Sequence, residues 1–313
     1  MCSDWLIGID LGGTKIEVIL MKQEGDQHFQ SREYFRKRVP TPKGDYHATL
    51  RAIQSLVQDA EAQAGVSGLH VGIGVPGSVS GITGRIKNGN STWLNGQLMQ
   101  DDLRALLQRP VTLANDANCL ALSEATDGAG KDHDVVFAAI LGTGCGAGVS
   151  VNGRVLKGPN GVAGEWGHNP LAWTPQAELE RRPCFCGNNG CNERFASGTG
   201  LSLTHKFLTG EDQPARQIAE NARQGNKEAA GSLSQYLEHL ARGLAAVINV
   251  LDPDIIVLGG GMSNTAQIYQ ELPLRLSKYV FGGECGTPVV PAVHGDSSGV
   301  RGAAWLSRPL DTP

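Results

Sequence analysis

The sequence predicts an α/β protein built as two similar halves, and three observations carry that prediction. Two glycine-rich turns, each set between apolar runs, lie about 130 residues apart. Short apolar runs alternate with longer stretches in which apolar residues recur at three- and four-residue spacing. The chain has 313 residues, enough for one large or two ordinary domains.

The first half opens with Leu6-Ile7-Gly8-Ile9, the turn Asp10-Leu11-Gly12-Gly13-Thr14-Lys15 and a return strand Ile16–Leu20. A helix is predicted over 45–64, with Leu50, Ile53, Leu56 and Val57 on its apolar face and Gly65 as its stop. Val71–Val75 is a short buried strand. Val111–Ala114 is another, followed by Asn115-Asp116 and a helix to about Ala125. The second half opens with Val135–Leu141, the run Gly142-Thr143-Gly144-Cys145-Gly146-Ala147-Gly148 and the strand Val149–Val151. A long helix over 233–251 ends at Asp252-Pro253. Ile255–Leu258, Gly259-Gly260-Gly261 and a helix starting near Ser263 follow. No low-complexity linker parts the halves, so a packed interface with a ligand cleft is expected. The pattern is a weak internal repeat of two α/β units.

The formal net charge is −4 and no long Lys/Arg block occurs, which argues against nucleic acid or an anionic membrane as partner. The densest basic stretch, Arg36 to Arg38, reads as solvated surface. The N-terminus lacks a basic n-region and no apolar run reaches about 18 residues, so a cytoplasmic protein is expected. Of seven cysteines, three fall within eight residues, which suits a metal cluster in a reducing compartment better than a disulfide framework.

Glycines at 12 and 13 let backbone N–H groups approach phosphate oxygens, Thr14 adds a hydroxyl, Lys15 a positive charge, and Asp10 a carboxylate for Mg²⁺. The spacing is not that of a Walker A loop. In the second turn glycines fall at every second position, so the dinucleotide-binding spacing is not met and the bare residues share one face of a hairpin. Two such hairpins suit one polyphosphate. Gly259, Gly260 and Gly261 allow a purine or ribose to lie against the chain, or serve only as a strand-to-helix turn. Asp116 at a strand end suits a general base, although Asn115-Asp116 reads equally as a helix N-cap. Cys184, Cys186 and Cys191 with His168 make a closed Cys₃His set of structural zinc type, with His205 and His294 as alternative fourth ligands. Glu165 and Glu193 flank that loop and can face hydroxyls.

Taken in order, these segments resemble the ROK family of sugar kinases and repressors over nearly the whole chain. The resemblance is carried by Asp10-x-Gly12-Gly13-Thr14-Lys15, Asn115-Asp116, Gly142-Thr143-Gly144, Gly164-Glu165-x-Gly167-His168, Cys184-x-Cys186-Gly187-x-x-Gly190-Cys191-x-Glu193 and Gly259-Gly260-Gly261. Asn90-Ser91-Thr92-Trp93-Leu94-Asn95-Gly96, Phe281-Gly282-Gly283-Glu284-Cys285 and the stretch from His294 to Trp305 look like the fructokinase branch. Many relatives carry Asn-Leu-x-Gly-Trp where this chain has Asn90-Ser91-Thr92-Trp93-Leu94.

The resemblance implies two ribonuclease-H-like (actin-like ATPase) domains with an inter-domain cleft. Residues 1–114, with a C-terminal helix at about 300–313, would form the N-terminal α/β domain. Residues 115–299 would form the C-terminal one, with the zinc loop 168–193. It implies ATP-dependent phosphorylation of a hexose, D-fructose to fructose 6-phosphate on the branch, with mannose, glucose or an N-acetylhexosamine as alternatives. It implies Asp116 as base, Asn90, Asn115, Asp116, Glu165, His168 and Glu193 on the sugar, and a homodimer. MgATP would be held by Gly8, Asp10, Gly12, Gly13, Thr14, Lys15, Gly142, Thr143, Gly144, Gly146, Gly259, Gly260 and Gly261. Zn²⁺ would be held by His168, Cys184, Cys186 and Cys191. A repressor would need a DNA-binding segment before Asp10, where the sequence leaves no room for one.

Overall fold

A computed structural model describes residues 4–23 and 31–308. The chain forms two compact units. The first comprises Met1–Asp132, Gly153–Ala163 and Asp296–Pro313, and the second His133–Asn152 and Gly164–Gly295.

In the first unit the strands are β1 (Trp5–Leu11), β2 (Lys15–Gln23), β3 (Ser31–Pro40), β4 (Val71–Val75), β5 (Ser78–Val79), β6 (Ile86–Lys87), β7 (Val111–Asn115) and β10 (Arg154–Val155). Its helices are α1 (Tyr46–Ala64), α2 (Met99–Leu107), α3 (Asp116–Asp127) and α10 (Ser298–Trp305). The main sheet runs β3-β2-β1-β4-β7. Strands β1, β2 and β3 form antiparallel pairs, and β4 and β7 add in parallel. The α1 helix forms where expected. The Asp45 carboxylate accepts from Ala48 N–H at its start, and Gly65 closes it at φ 64°. Its face Leu50, Ile53, Leu56 and Val57 packs on Ile7, Ile9, Ile16 and Val18.

The second unit holds β8 (Val135–Leu141), β9 (Cys145–Val151), β11 (Ile255–Gly259) and β12 (Val289–Pro291). Strands β8 and β9 are antiparallel, while β8 with β11 and β11 with β12 are parallel. This repeats the β2-β1-β4-β7 order of the first unit, so the internal repeat is structural. Helices α4 (Gln176–Glu180), α5 (Glu193–Ala196), α6 (Gly198–Thr209), α7 (Ala215–Arg223), α8 (Lys227–Leu251) and α9 (Ala266–Leu276) complete it. The α8 helix starts at Lys227, ahead of the predicted 233, because Asn226 accepts from Ala229 N–H and caps it there. It ends at Asp252, in the left-handed region at φ 46°. The helix expected near Ser263 begins at Ala266, after a single 3₁₀ turn over Gly261–Asn264.

The expected boundary at 114/115 is not where the chain divides. Helix α3 belongs to the first unit, because its backbone touches α10: a Cβ on Gly302 would lie 1.7 Å from Cys119 O. Residues 153–163 also return to the first unit, where Lys87 Nζ donates to Asn160 O and Gly161 lies against Val79 O. Helix α10 packs on β1 and β4 as the resemblance implied for the C-terminal helix, while residues 309–313 lie outside the described residues.

Three glycines permit that packing. A Cβ on Gly8 would sit 2.3 Å from Ala304 N, and one on Gly72 would sit 1.8 Å from Ala303 O. These contacts are backbone on backbone, so no rotamer change relieves them. Gly72→Ala is therefore expected to lower stability by about 1–3 kcal/mol or more. Gly231→Ala, on the open face of α8 with nothing within 4 Å, is expected to be neutral or stabilising. Paired thermal melts check this, and equal Tm values for the two variants would contradict it.

Candidate functional site

In the first unit the β1–β2 turn is closed by Gly12 N–H donating to Lys15 O at 2.9 Å. Gly13, Thr14 and Lys15 are exposed, as a phosphate-binding turn requires. Asp10 stands at the end of β1, with the Cβ positions of Gly74 and Gly299 3.6 and 3.8 Å from its carboxylate. Burial first, then the charges of Asp116 and Glu17, push its carboxyl up to about 6, against Lys15 and Arg38. The charge of Asp116 is thus felt at Asp10. Glu17, buried on β2 opposite Asp10, is held by Arg36 at 2.7 Å and Arg38 at 2.8 Å, with Lys15 at 3.9 Å. Lys37 and Arg38 stay on the surface as the sequence suggested, while Arg36 is half-buried against Glu17.

Asp116 is exposed at the first turn of α3, its carboxylate accepting from Ala117 N–H at 2.8 Å. Asn115 before it is the N-cap: its Oδ1 accepts from Ala117 N–H at 2.9 Å and its Nδ2 donates to Gly77 O at 2.8 Å. The N-cap reading of Asn115 therefore holds, and the cap leaves the Asp116 side chain exposed. Asn90 is exposed on a loop that Asn95 ties off through both polar atoms to the Gly89 backbone. That loop runs beside the turn, with the Cβ position of Gly13 3.5 Å from Ser91 Oγ. Gly8 does not belong here. Its bare face is spent on α10, which corrects its expected role in holding nucleotide.

In the second unit the β8–β9 turn has Gly142 N–H donating to Gly144 O at 3.0 Å. Gly146 lies beyond the turn, in β9 opposite Ile140. Gly260, at φ 81°, approaches the Leu141 backbone so closely that a Cβ would lie 2.7 Å from Leu141 C. Gly261 faces open space. The glycine triplet and the second turn are therefore neighbours, as the nucleotide expectation needs.

Two glycines set the segment 164–168 down on β9. A Cβ on Gly164 would lie 2.3 Å from Ala147 O, and one on Gly167 2.0 Å from Cys145 O. Trp166 between them is buried, and its carbonyl accepts from Asn192 Nδ2 at 2.8 Å. Glu165 and His168 emerge half-buried on either side. Glu193 Oε2 accepts from Cys145 N–H at 3.2 Å and fills the space where Gly144 lacks a side chain. Its carboxylate is thus engaged with the second turn, a contact that spacing along the chain does not show.

His168, Cys184, Cys186 and Cys191 offer four ligand atoms that all lie within 4.8 Å of one another. His168 Nδ1 lies 3.7 Å from Cys184 Sγ, and Cys186 Sγ 3.6 Å from Cys191 Sγ. His205 instead bonds Ser232 Oγ through Nδ1, so it does not compete. The loop is closed by Cys184 N–H to Asn188 O at 2.9 Å, Gly187 N–H to Cys184 O and Gly190 N–H to Arg182 O. The Asn188 backbone N–H is the chief cause that lowers the Cys186 thiol, while burial pushes the Cys184 and Cys191 thiols up. Such a donor set fits a closed tetrahedral ion, with the His168 Nε2 edge left for another partner.

Comparison with known proteins adds a family. The ROK family model matches residues 6–309. An N-acetyl-D-glucosamine kinase of Pectobacterium atrosepticum is 41% identical over 303 residues, covering 96% of this chain and 97% of that one. A protein of the same name from Yersinia pseudotuberculosis is 39% identical over 303 residues, with 96% and 97% covered. Among solved structures, a ROK hexokinase from Thermus thermophilus superposes with a TM-score of 0.83 at 31% identity, covering 97% of each chain. A ROK family glucokinase from Streptomyces griseus, in complex with glucose and AMPPNP, gives 0.76 at 28% identity, covering 97% of this chain and 99% of that one. These likenesses bear out the actin-like, two-unit α/β fold.

The raised Asp10 carboxyl makes a stability prediction. Its folded value near 6 exceeds the ordinary 3.8, so ionisation costs folding free energy, and that cost grows as pH rises from about 4 through 6. In magnesium-free buffer Asp10→Asn is expected to raise Tm at pH 7, with the gain fading towards pH 4. Thermal melts across that range check it, and a pH-independent effect would contradict it.

Proposed function

The chain belongs to the ROK family, and from that premise we propose that it is an ATP-dependent sugar kinase whose acceptor is N-acetyl-D-glucosamine. The observation that carries the acceptor is the identity of about 40% over nearly the full length to relatives of that name. It favours the N-acetylhexosamine alternative over the fructose expected from the segments at 90–96, 281–285 and 294–305. What supports the kinase reading in the chain itself is one glycine turn in each unit and an exposed carboxylate, Asp116, whose charge reaches Asp10.

Phosphoryl transfer needs alignment and charge neutralisation more than covalent help. The Gly12-Gly13-Thr14-Lys15 and Gly142-Thr143-Gly144 turns hold phosphates through backbone N–H groups, with Gly259–Gly261 against the nucleoside. Asp10 is the carboxylate that would help to hold Mg²⁺, which would supply neutralisation of phosphate charge. Asp116 accepts the proton of the attacking sugar hydroxyl. Asn90, Glu165 and the Nε2 edge of His168 bond sugar hydroxyls. Asn115 serves by fixing the start of α3 and Glu193 by fixing the second turn, since both side chains engage backbone. His168, Cys184, Cys186 and Cys191 would hold a structural Zn²⁺, which would fix the orientation of His168.

Three measurements test this reading. Coupled ADP release is expected to be fastest with N-acetyl-D-glucosamine in a panel including fructose, mannose, glucose and N-acetylmannosamine. Fastest turnover of fructose would overturn the acceptor. Asp116→Asn is expected to cost on the order of 10² to 10⁴ in kcat with sugar affinity largely kept. Near-normal turnover would remove Asp116 as base. Elemental analysis is expected to find one zinc per chain, lost in Cys186→Ser along with sugar affinity; a metal-free wild type would refute the zinc site.

A further inference from the structure

The two glycine turns are held by the same device, and neither threonine that supplies it was singled out by the sequence. In a planar trans peptide the carbonyl of one residue and the N–H of the next point in opposite directions. A donor that captures the carbonyl therefore aims the following N–H away from itself. At the second turn, Thr199 Oγ1 donates to Thr143 O at 2.8 Å and Gly198 N–H donates to Gly142 O at 2.8 Å. Both donors belong to the start of α6, so the N–H groups of Gly144 and Thr143 are turned to the opposite side. The next peptide is fixed at both ends, Gly144 O by Gly142 N–H and Cys145 N–H by Glu193.

The first turn repeats this. Thr41, buried just after β3, donates from Oγ1 to Gly12 O at 2.7 Å, and its N–H donates to Thr14 O at 3.0 Å. Gly13 N–H is thereby aimed away from Thr41. Glycine makes these turns possible but leaves their peptides free to rotate, because it tolerates both signs of φ. A second hydrogen bond on the outer carbonyl removes that freedom before any ligand arrives.

We propose that Thr41 and Thr199 are positioning residues that pre-orient the N–H donors of Gly13 and Gly144 toward the phosphates of the nucleotide, while the Gly198 N–H does the same for Thr143. The proposal rests on the kinase reading for the identity of the ligand. Neither hydroxyl has to touch that ligand, because each acts through the carbonyl it holds. Loss of one hydroxyl lets one peptide relax, so nucleotide affinity falls while sugar affinity does not.

The test is titration calorimetry of MgADP and, separately, N-acetyl-D-glucosamine into wild type, Thr199→Val, Thr199→Ser, Thr41→Val and Thr41→Ser, with the Tm of each recorded. Each valine variant is expected to weaken MgADP binding about three- to tenfold, the worth of one hydrogen bond. Sugar affinity is expected to be unchanged, and the serine variants, which keep the hydroxyl, to bind MgADP like wild type. Wild-type MgADP affinity in folded valine variants would overturn the proposal, as would serine variants no better than valine. Should buried Thr41→Val fail to fold, Thr199→Val, half-exposed at the surface, decides the question alone. A wild type that binds MgADP but not this sugar would sink the proposed acceptor and leave the comparison of threonine variants intact.

Discussion

A backbone N–H can be presented to a ligand only if the carbonyl on the other side of the same peptide has somewhere to go. In both units of this protein that carbonyl is taken by a donor outside the hairpin, Thr41 in one and the Gly198–Thr199 pair in the other. The glycines of the turns give access, and the donors give direction. The same economy explains why side chains of opposite character appear around the turns. Glu193 holds a backbone N–H of the second turn, while Lys15 flanks the first. Neither turn needs a special loop fold, because each is the tip of an ordinary antiparallel pair.

Further from the turns, the chain relies on places where a Cβ has no room. Gly8, Gly72 and Gly302 let α10 lie directly on β1, β4 and α3, so the last described helix is a structural part of the first unit. Gly164 and Gly167 do the same for the segment carrying Glu165 and His168, which rests on the carbonyls of β9. The cysteine loop then adds a second constraint on His168 from its Nδ1 side. Backbone contact from one side and convergent ligands from the other fix a side chain far better than either alone.

Much of this was legible in the sequence for local reasons. The strands Val71–Val75 and Val135–Leu141 fall where their apolar runs lie, and α1 stops at its predicted glycine. The three cysteines converge because they sit on one short loop, where spacing along the chain approximates distance in space, whereas His168 joins them from the segment laid on β9. What was not legible depends on partners far along the chain. Gly8 looked like part of a phosphate turn because α10, almost 300 residues later, cannot be seen from its neighbours. The division at 114/115 seemed natural at a strand end, yet α3 stays with the first unit through its contact at Gly302. That Arg36 and Arg38 pair with Glu17 could not be seen because Glu17 lies on a different strand. A signal for Thr41 did exist, in a lone hydroxyl between Pro40 and Pro42 at a strand exit. Its use only becomes apparent once β3 is placed beside β2. The segments that suggested fructose are also local, whereas acceptor choice rests on a few hydrogen bonds in a pocket.

The central claim is that these two turns are the phosphate-binding elements and that their N–H donors are already aimed. It is tested most directly by following the backbone amides in a deuterated, selectively labelled sample by NMR as MgADP is added. The account predicts that the amide signals of Gly13, Thr143 and Gly144 shift together on MgADP and stay in place with sugar alone. Shifts confined to other residues, with these three unmoved at saturating MgADP, would contradict it.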